Sequence, residues 1–251
     1  MSTGQVIHLE SVDSTNEYLK RRGALLPDGT VVVADHQTAG KGRLGRSWQD
    51  APGQSLLASW LLKSLQGDAL LLLPLAAGMA VLDALDSLGA QGAALKWPND
   101  IVAQRDGRCC KLAGILCEHR AGQQSFSVCG IGVNLLQPQE VFDGRGLPDA
   151  GSVLGVLGAS LKREELLRAI GQSLQKRCAQ AVAEPQALLQ DISARCITLG
   201  RTVKIKTEAG EYTAFASRLD RDGQLICQTE EGEEIKVRAG EVSVRGLNGY
   251  L

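Results

Sequence analysis

Beyond Leu199 the texture of the chain changes, and that change limits the folds open to it more than any other feature. Residues 202–206, 211–219, 224–228, 233–237 and 241–244 are short runs of strand composition, separated by the turns EAG, DRDG, EEG and AG. Runs bounded in this way read as strands. Five of them in about fifty residues fit a small barrel and fall short of a sandwich, which usually needs about 100 residues. Upstream, strand-like runs at 5–9, 30–34, 55–62, 93–97, 111–118 and 125–133 alternate with helical patterns at 15–22, 74–88 and 163–182. Ser14 stands where an N-cap of the first helix belongs, and Pro74 falls near the first turn of the second. The pattern predicts a mixed α/β domain over residues 1–199 and a small barrel domain over 200–251, with the boundary near Gly200. A chain of 251 residues is long enough to bury a core in such an arrangement.

Charge excludes some functions. With 27 Lys and Arg against 28 Asp and Glu, the formal net charge of -1 provides no global field for nucleic acid or an anionic membrane. Any anion site must be local. The most apolar segment, 69–82, contains Pro74 and runs into Asp83 and Asp86, so a buried helix is expected there instead of a bilayer span, which takes roughly 20 uninterrupted apolar residues. The first residues have neither a charged n-region nor an apolar h-region, so no signal peptide and a cytoplasmic protein are expected. Seven cysteines without C-x-x-C spacing and three scattered histidines argue against a zinc site or a disulfide framework.

The stretch TAGKGRLGRSW carries Gly40, Gly42 and Gly45 at G-x-G-x-x-G spacing after an apolar run at 31–34. A dinucleotide fingerprint needs a helix at the third glycine and an acid about 20 residues on. Here a turn and a strand follow, and the first acid beyond that strand is Asp68, in a loop. The P-loop pattern fails because no lysine is followed by Ser or Thr in frame, and a kinase loop would place Val where Ser47 stands. What remains are cations on a flexible backbone: Lys41, Arg43 and Arg46, to which Lys111 and the pair Asn99 and Asp100 add. Taken singly, each has a plain structural explanation as a cap, hairpin, turn or solvated lysine. Together they are equipment for phosphoryl chemistry, in which spread negative charge must be stabilised. Asp100 is a candidate Mg²⁺ ligand.

Five segments in order, GKGRLGRSW, KWPNDI, KLAGILCE, GIGVNL and the closing GEVSVR, resemble the motifs of the biotin protein ligases, and the resemblance spans nearly the whole chain. It implies an α+β fold: a mixed-sheet catalytic domain of the biotin/lipoate ligase type over 1–199 and an SH3-like barrel over 200–251. It implies two steps, in which biotin and MgATP give biotinoyl-AMP and pyrophosphate, and a lysine of a biotin carboxyl carrier protein then takes the biotinoyl group. Ser14, Thr15, Asn16 and Gln37 match the family's ureido and ring-binding positions; Lys41, Gly42, Arg43 and Lys111 would complete the biotin site. Gly40, Gly45, Arg46, Trp48, Asn99 and Asn134 would hold ATP and the adenylate. Arg43, Arg46, Lys111 and Asp100 would carry catalysis, with Asp100 on the metal side. Lys41 and Leu44 stand where the family is more often basic, which thins the charge of the loop.

Some members of the family carry an N-terminal winged helix-turn-helix. Here the first strand begins within a few residues of Met1, so no DNA-binding domain and no DNA partner are expected; no membrane partner is expected either, and a homodimer stays open. Two other functions compete. A lipoate or octanoate ligase would share the fold, but Gln37 and the arginine-rich loop suit a ureido ring better than a dithiolane. A non-catalytic biotin sensor would have no use for Arg43, Lys111 and Asp100. Cys109 and Cys110 precede Lys111 and read as packing residues, although their oxidation would disturb that lysine.

Overall fold

The computed structural model describes residues 4–207, 210–239, 243–246 and 250. The first part of the chain forms β1 (Val6–Val12), α1 (Thr15–Arg22), β2 (Val31–Gln37), β3 (Ser55–Leu62), α2 (Ala69–Ser87), β4 (Ala94–Lys96), β5 (Asp100–Arg105), β6 (Arg108–Arg120) and β7 (Phe126–Asn134). Then come α3 (Gln139–Asp143), α4 (Val153–Leu157), α5 (Arg163–Ala183) and α6 (Pro185–Arg195). The last part holds β8 (Arg201–Thr207), β9 (Gly210–Leu219), β10 (Leu225–Gln228), β11 (Glu234–Val237) and β12 (Ser243–Gly246).

The seven strands of the large sheet lie in the order β1-β2-β3-β7-β6-β5-β4. Only β1 and β2 pair in parallel, which makes the sheet mixed, as expected. The other five strands form one antiparallel sheet in the order β11-β10-β9-β8-β12, an open form of the SH3-like layout.

The large sheet has two differently covered faces. Because side chains alternate along a strand, Ile115, Cys129, Ile131 and Val133 point into the main core with α2, α5 and α6. The opposite face carries α1, whose Leu19 packs with Val32, Leu61, Phe126 and Val128. That second face also holds the cavity described below. Helix α2 is long and apolar enough to cross a membrane by length and composition, yet 72% of it is buried inside the fold. It is a core helix.

Several boundaries differ from the sequence pattern. Helix α2 starts at Ala69, so Pro74 lies inside it and forgoes one intrahelical hydrogen bond. Of the apolar residues before the proline, Ala69, Leu72 and Leu73 are buried in the core, which holds this first turn in the helix, while Leu71 is exposed. Ser14 occupies the N-cap position of α1 but makes no capping bond; its side chain is buried against the cavity. Strand β5 and helices α3, α4 and α6 are additional to the elements read from the pattern. Of the run expected at 241–244, Glu241 and Val242 lie outside the described residues, and the observed strand is Ser243–Gly246.

Candidate active site

A cavity of about 320 Å³ opens on the α1 side of the sheet, between the loop after β2, the strands β6 and β7, and the small domain. Its floor is made of glycines. A Cβ on Gly130 would lie 2.1 Å from Asn16 Oδ1, one on Gly132 would lie 2.7 Å from the Trp48 ring, and one on Gly114 would lie 3.0 Å from it. These glycines let polar and aromatic groups lie directly on the strand backbone. The motifs AGI and GIG were noted in the sequence without this role.

One end of the cavity is lined by neutral polar groups from α1 and β2. Gln37 Oε1 accepts from the Thr15 backbone N–H at 2.8 Å, with Thr15 Oγ1 at 3.1 Å. Ser59, buried on β3, lies 2.7 Å from Thr15 Oγ1 and donates to Asn16 Oδ1 at 2.6 Å. Asn16 Nδ2 donates to the Leu116 carbonyl and to Glu118 Oε2. Ser59 and Glu118 were missed by sequence reasoning, since a serine in an apolar strand and an acid at a strand end carry no motif.

The other end gathers charge. Lys111 Nζ lies 2.7 Å from Asp100 Oδ1, and the Tyr250 hydroxyl donates to Asp100 Oδ2. Lys96, 4% exposed, donates to the Val244 carbonyl at 2.9 Å. Burial pulls its pKa down to about 8, the Asp100 carboxylate opposing that fall while Arg245 and Lys111 add to it. Burial pushes the Asp100 carboxyl upward, but Lys111, Lys96 and the Tyr250 hydroxyl outweigh it and hold the group below the ordinary carboxylate range. Lys96, Arg245 and Tyr250 are further charged-end residues beyond those expected.

A bulge brings Lys111 to this side. Ile101 pairs with Ala113 and Val102 with Lys111, so Leu112 is an extra residue in β6. Leu112 and Ala113 both enter the core as a result, and Lys111 turns to the cavity.

The glycine loop folds across the cavity. Gly42 N–H donates to the Arg46 carbonyl at 2.7 Å and Trp48 N–H to the Gly40 carbonyl at 2.9 Å. Gly45 has φ +70° and Leu44 φ +55°, the left-handed conformation that glycine adopts freely. Gly40 is required for a reason internal to the loop, since a Cβ there would lie 2.5 Å from the Trp48 carbonyl oxygen. Arg43 donates to Asn99 Oδ1 at 2.9 Å and to the Ala239 carbonyl of the small domain. Lys41 pairs with Glu17 of α1 at 2.7 Å. The Trp48 indole N–H is buried without a partner.

Thus Ser14, Thr15, Asn16, Gln37, Lys41, Gly42, Arg43, Arg46, Trp48, Asn99, Asp100, Lys111 and Asn134 line one cavity, with Gly40 and Gly45 in the loop above it. Asn99, Asn134 and Lys41 are, like several described above, engaged by the protein itself. Asn99 Nδ2 donates to the Ile115 carbonyl while its Oδ1 orients Arg43, and Asn134 Nδ2 donates to the Gly151 carbonyl. The Lys41 ammonium ties the loop to α1. Asp100, expected on the metal side, has one oxygen on Lys111 and the other on Tyr250. Cys109 packs beside Tyr250, and burial lifts its thiol to about 11, which keeps it protonated and unreactive at neutral pH.

Residues 8–134 match the Biotin/lipoate A/B protein ligase family, and residues 198–245 match the Biotin protein ligase C terminal domain. The chain is 38% identical over 238 residues to the Biotin--[acetyl-CoA-carboxylase] ligase of Mycobacterium tuberculosis, covering 91% of this chain and 85% of that one. It is 32% identical to the Bifunctional ligase/repressor BirA of Escherichia coli, covering 96% of this chain and 74% of the relative. Among solved structures, the biotin protein ligase from Aquifex aeolicus in complex with biotin and ATP superposes with a TM-score of 0.80 at 31% identity, over 96% of this chain and 99% of that one. The chain belongs to the biotin/lipoate A/B protein ligase family, and within it to the biotin protein ligases.

Proposed function

We propose that the protein activates biotin with ATP to biotinoyl-5'-AMP and transfers the biotinoyl group to a lysine of a biotin carboxyl carrier protein. The observation that carries this reading is the polarity of this cavity, with neutral amides and hydroxyls at one end and Lys96, Lys111, Arg43 and Arg46 toward the other. Biotin has the same polarity: a ureido ring that exchanges neutral hydrogen bonds, an apolar tail and a terminal carboxylate. A cofactor site of this kind uses a few placed polar groups for orientation.

Ser14, Thr15, Asn16 and Gln37 would receive the ureido ring, with Ser59 holding Thr15 and Asn16 in place. Trp48 would cover the tail and the adenylate; its unpartnered N–H offers a donor to them. Two anions, the biotin carboxylate and the α-phosphate, must approach one another, and Arg43, Arg46 and Lys111 would lower that repulsion and the charge of the transition state. The attacking carboxylate oxygen bonds to the α-phosphorus and pyrophosphate leaves. In the second step the neutral carrier amine attacks the anhydride carbonyl and AMP leaves. The closed loop from Gly40 to Arg46 would exclude water from the mixed anhydride. Mg²⁺ enters with the substrate MgATP, bound to phosphate oxygens.

Residues 1–199 would form the catalytic domain, and residues 200–251 the SH3-like domain that closes the nucleotide end and helps dock the carrier. The Arg43 contact to Ala239, the Lys96 bond to the Val244 carbonyl and the Trp97 Nε1 bond to the Gly223 carbonyl support that division of work. Seven free thiols suit a reducing, cytoplasmic setting. The formal net charge of -1 supplies no basic field that would favour a DNA partner. ATP–pyrophosphate exchange with biotin, lipoate and octanoate tested separately decides the substrate: exchange with biotin alone is expected, and exchange with lipoate or octanoate but without biotin would refute the assignment.

A further inference from the structure

Resting on the reading of this cavity as an adenylation centre, we propose that Tyr250 is a positioning residue for Lys111 and for the two cations beside it. Tyr250 lies beyond the segment matched to the C-terminal domain of the family, which ends at residue 245. It is nonetheless buried, 8% exposed, and lines the charged end of the cavity.

Its two parts do different work. The hydroxyl donates to Asp100 Oδ2, while Lys111 Nζ lies 2.7 Å from Oδ1. Asp100 sits among Lys96, Lys111 and Arg43, whose charges all act on it. A buried carboxylate with a free second oxygen would rotate to pair with two lysines at once, because attraction between close charges is strong away from water. Both ammonium groups would then be neutralised against the wall. With Oδ2 held by a neutral donor, Asp100 offers one oxygen to Lys111 and leaves the other N–H bonds of that lysine directed to the cavity.

The ring acts on the remaining pair. Lys96 Nζ lies 4.4 Å and Arg245 Cζ 4.6 Å from its centroid, within cation–π range. An aromatic face attracts both cations without cancelling the charge of either. A carboxylate in the same place would remove the charge that a phosphate needs. Tyr250 therefore fixes three cations while leaving their positive charge available to an anion.

The test uses the full chain with Tyr250→Phe and Tyr250→Ala, each checked for cooperative thermal unfolding. Wild-type protein is assayed first: if it shows no biotin-dependent pyrophosphate exchange, the adenylation reading itself fails. With wild-type exchange present, Tyr250→Phe is expected to lower kcat about tenfold, the scale of one hydrogen bond to a charged group. Its KM for ATP should stay within about twofold, because the ring remains. Tyr250→Ala should lower kcat similarly and also raise KM for ATP roughly tenfold. Biotin affinity, read from tryptophan fluorescence, should fall much less than exchange in both, since the neutral polar end is untouched and only the Lys111 contact to the carboxylate weakens. Wild-type kcat in Tyr250→Phe overturns the proposal. So does an equal effect of the two variants on kcat and KM, or a loss of biotin affinity in step with exchange; each would leave Tyr250 a packing residue. If Tyr250→Ala fails to fold, the kcat and KM of Tyr250→Phe decide alone.

Discussion

Adding one methyl group at Gly130 should damage the neutral end of the cavity without replacing any ligand-binding side chain. The Cβ of Gly130→Ala would lie 2.1 Å from Asn16 Oδ1, 2.8 Å from its Cγ and 3.1 Å from its Nδ2. Relief requires Asn16 to retreat by about 1.4 Å, given that heavy-atom contacts settle at roughly 3.5 Å. A flexible surface side chain would do this cheaply. Asn16 is 3% exposed, and three bonds hold it: from Ser59 Oγ at 2.6 Å, to the Leu116 carbonyl at 3.1 Å and to Glu118 Oε2 at 2.9 Å. Overpacking a well-filled site costs about 1–3 kcal/mol, and a weakened bond to the Glu118 carboxylate falls in the same range. A net loss of about 2 kcal/mol should lower Tm by roughly 4–8 °C in a chain of this size. Biotin affinity should fall at least about tenfold, because each 1.4 kcal/mol of misplaced contact is a factor of ten. Calorimetry and tryptophan fluorescence titration measure the two effects. The Asn16→Ala background supplies the control: with the amide gone the methyl has room, so Gly130→Ala should cost less stability there than in the wild type. An unchanged Tm and biotin affinity in Gly130→Ala, or equal stability losses in both backgrounds, would refute the steric argument.

Arg43→Ala and Lys111→Ala should each slow pyrophosphate exchange by about 10²–10³, the usual effect of removing one preorganised charge-stabilising donor. Lys41→Ala should be much milder, because its ammonium ties the loop to Glu17; equal losses at 41 and 43 would contradict that assignment. Lys96, with a pKa near 8, should produce an alkaline limb in kcat/KM for ATP, as its charge is lost when pH rises through that value. Stability should move the opposite way. The unfolded lysine, at 10.5, binds more protons than the folded one between about 8 and 10.5, so the Lys96 contribution rises with pH across that window and is lost again as pH falls through 8. Lys96→Arg should abolish the limb in a pH–rate profile, and persistence of the limb would assign it to another group. Trp97→Phe should cost roughly 1–3 kcal/mol, seen as a lower Tm, because it strands the Gly223 carbonyl that Trp97 Nε1 serves at 3.0 Å.

Much of this organisation was legible in the sequence because it depends on local chemistry. The turn-separated runs beyond Leu199 could not be packed as anything but short strands, and the cations of the glycine loop stand within a few residues of one another. Strand β5 escaped notice because KWPND looks like the end of a strand, whereas Trp97, Pro98 and Asn99 turn the chain so that Asp100 pairs with Lys96 across a hairpin. Helix α6 begins with a proline at its first turn and buries only Leu188 and Ile192, too weak a stripe to announce itself. The site itself depends on contacts between positions far apart in the chain. Strict alternation along β6 would put Gly114 and Leu112 on the cavity face and Lys111 in the core. The extra residue at Leu112 shifts the phase, and the pairing with β5 that creates the bulge exists only once the sheet has formed. Likewise nothing local links Tyr250 to Asp100, 150 positions away. Residue types and spacing determined which chemistry the chain could perform. Tertiary packing decided which side of the sheet would perform it, because a side chain's direction depends on the register of the neighbouring strand.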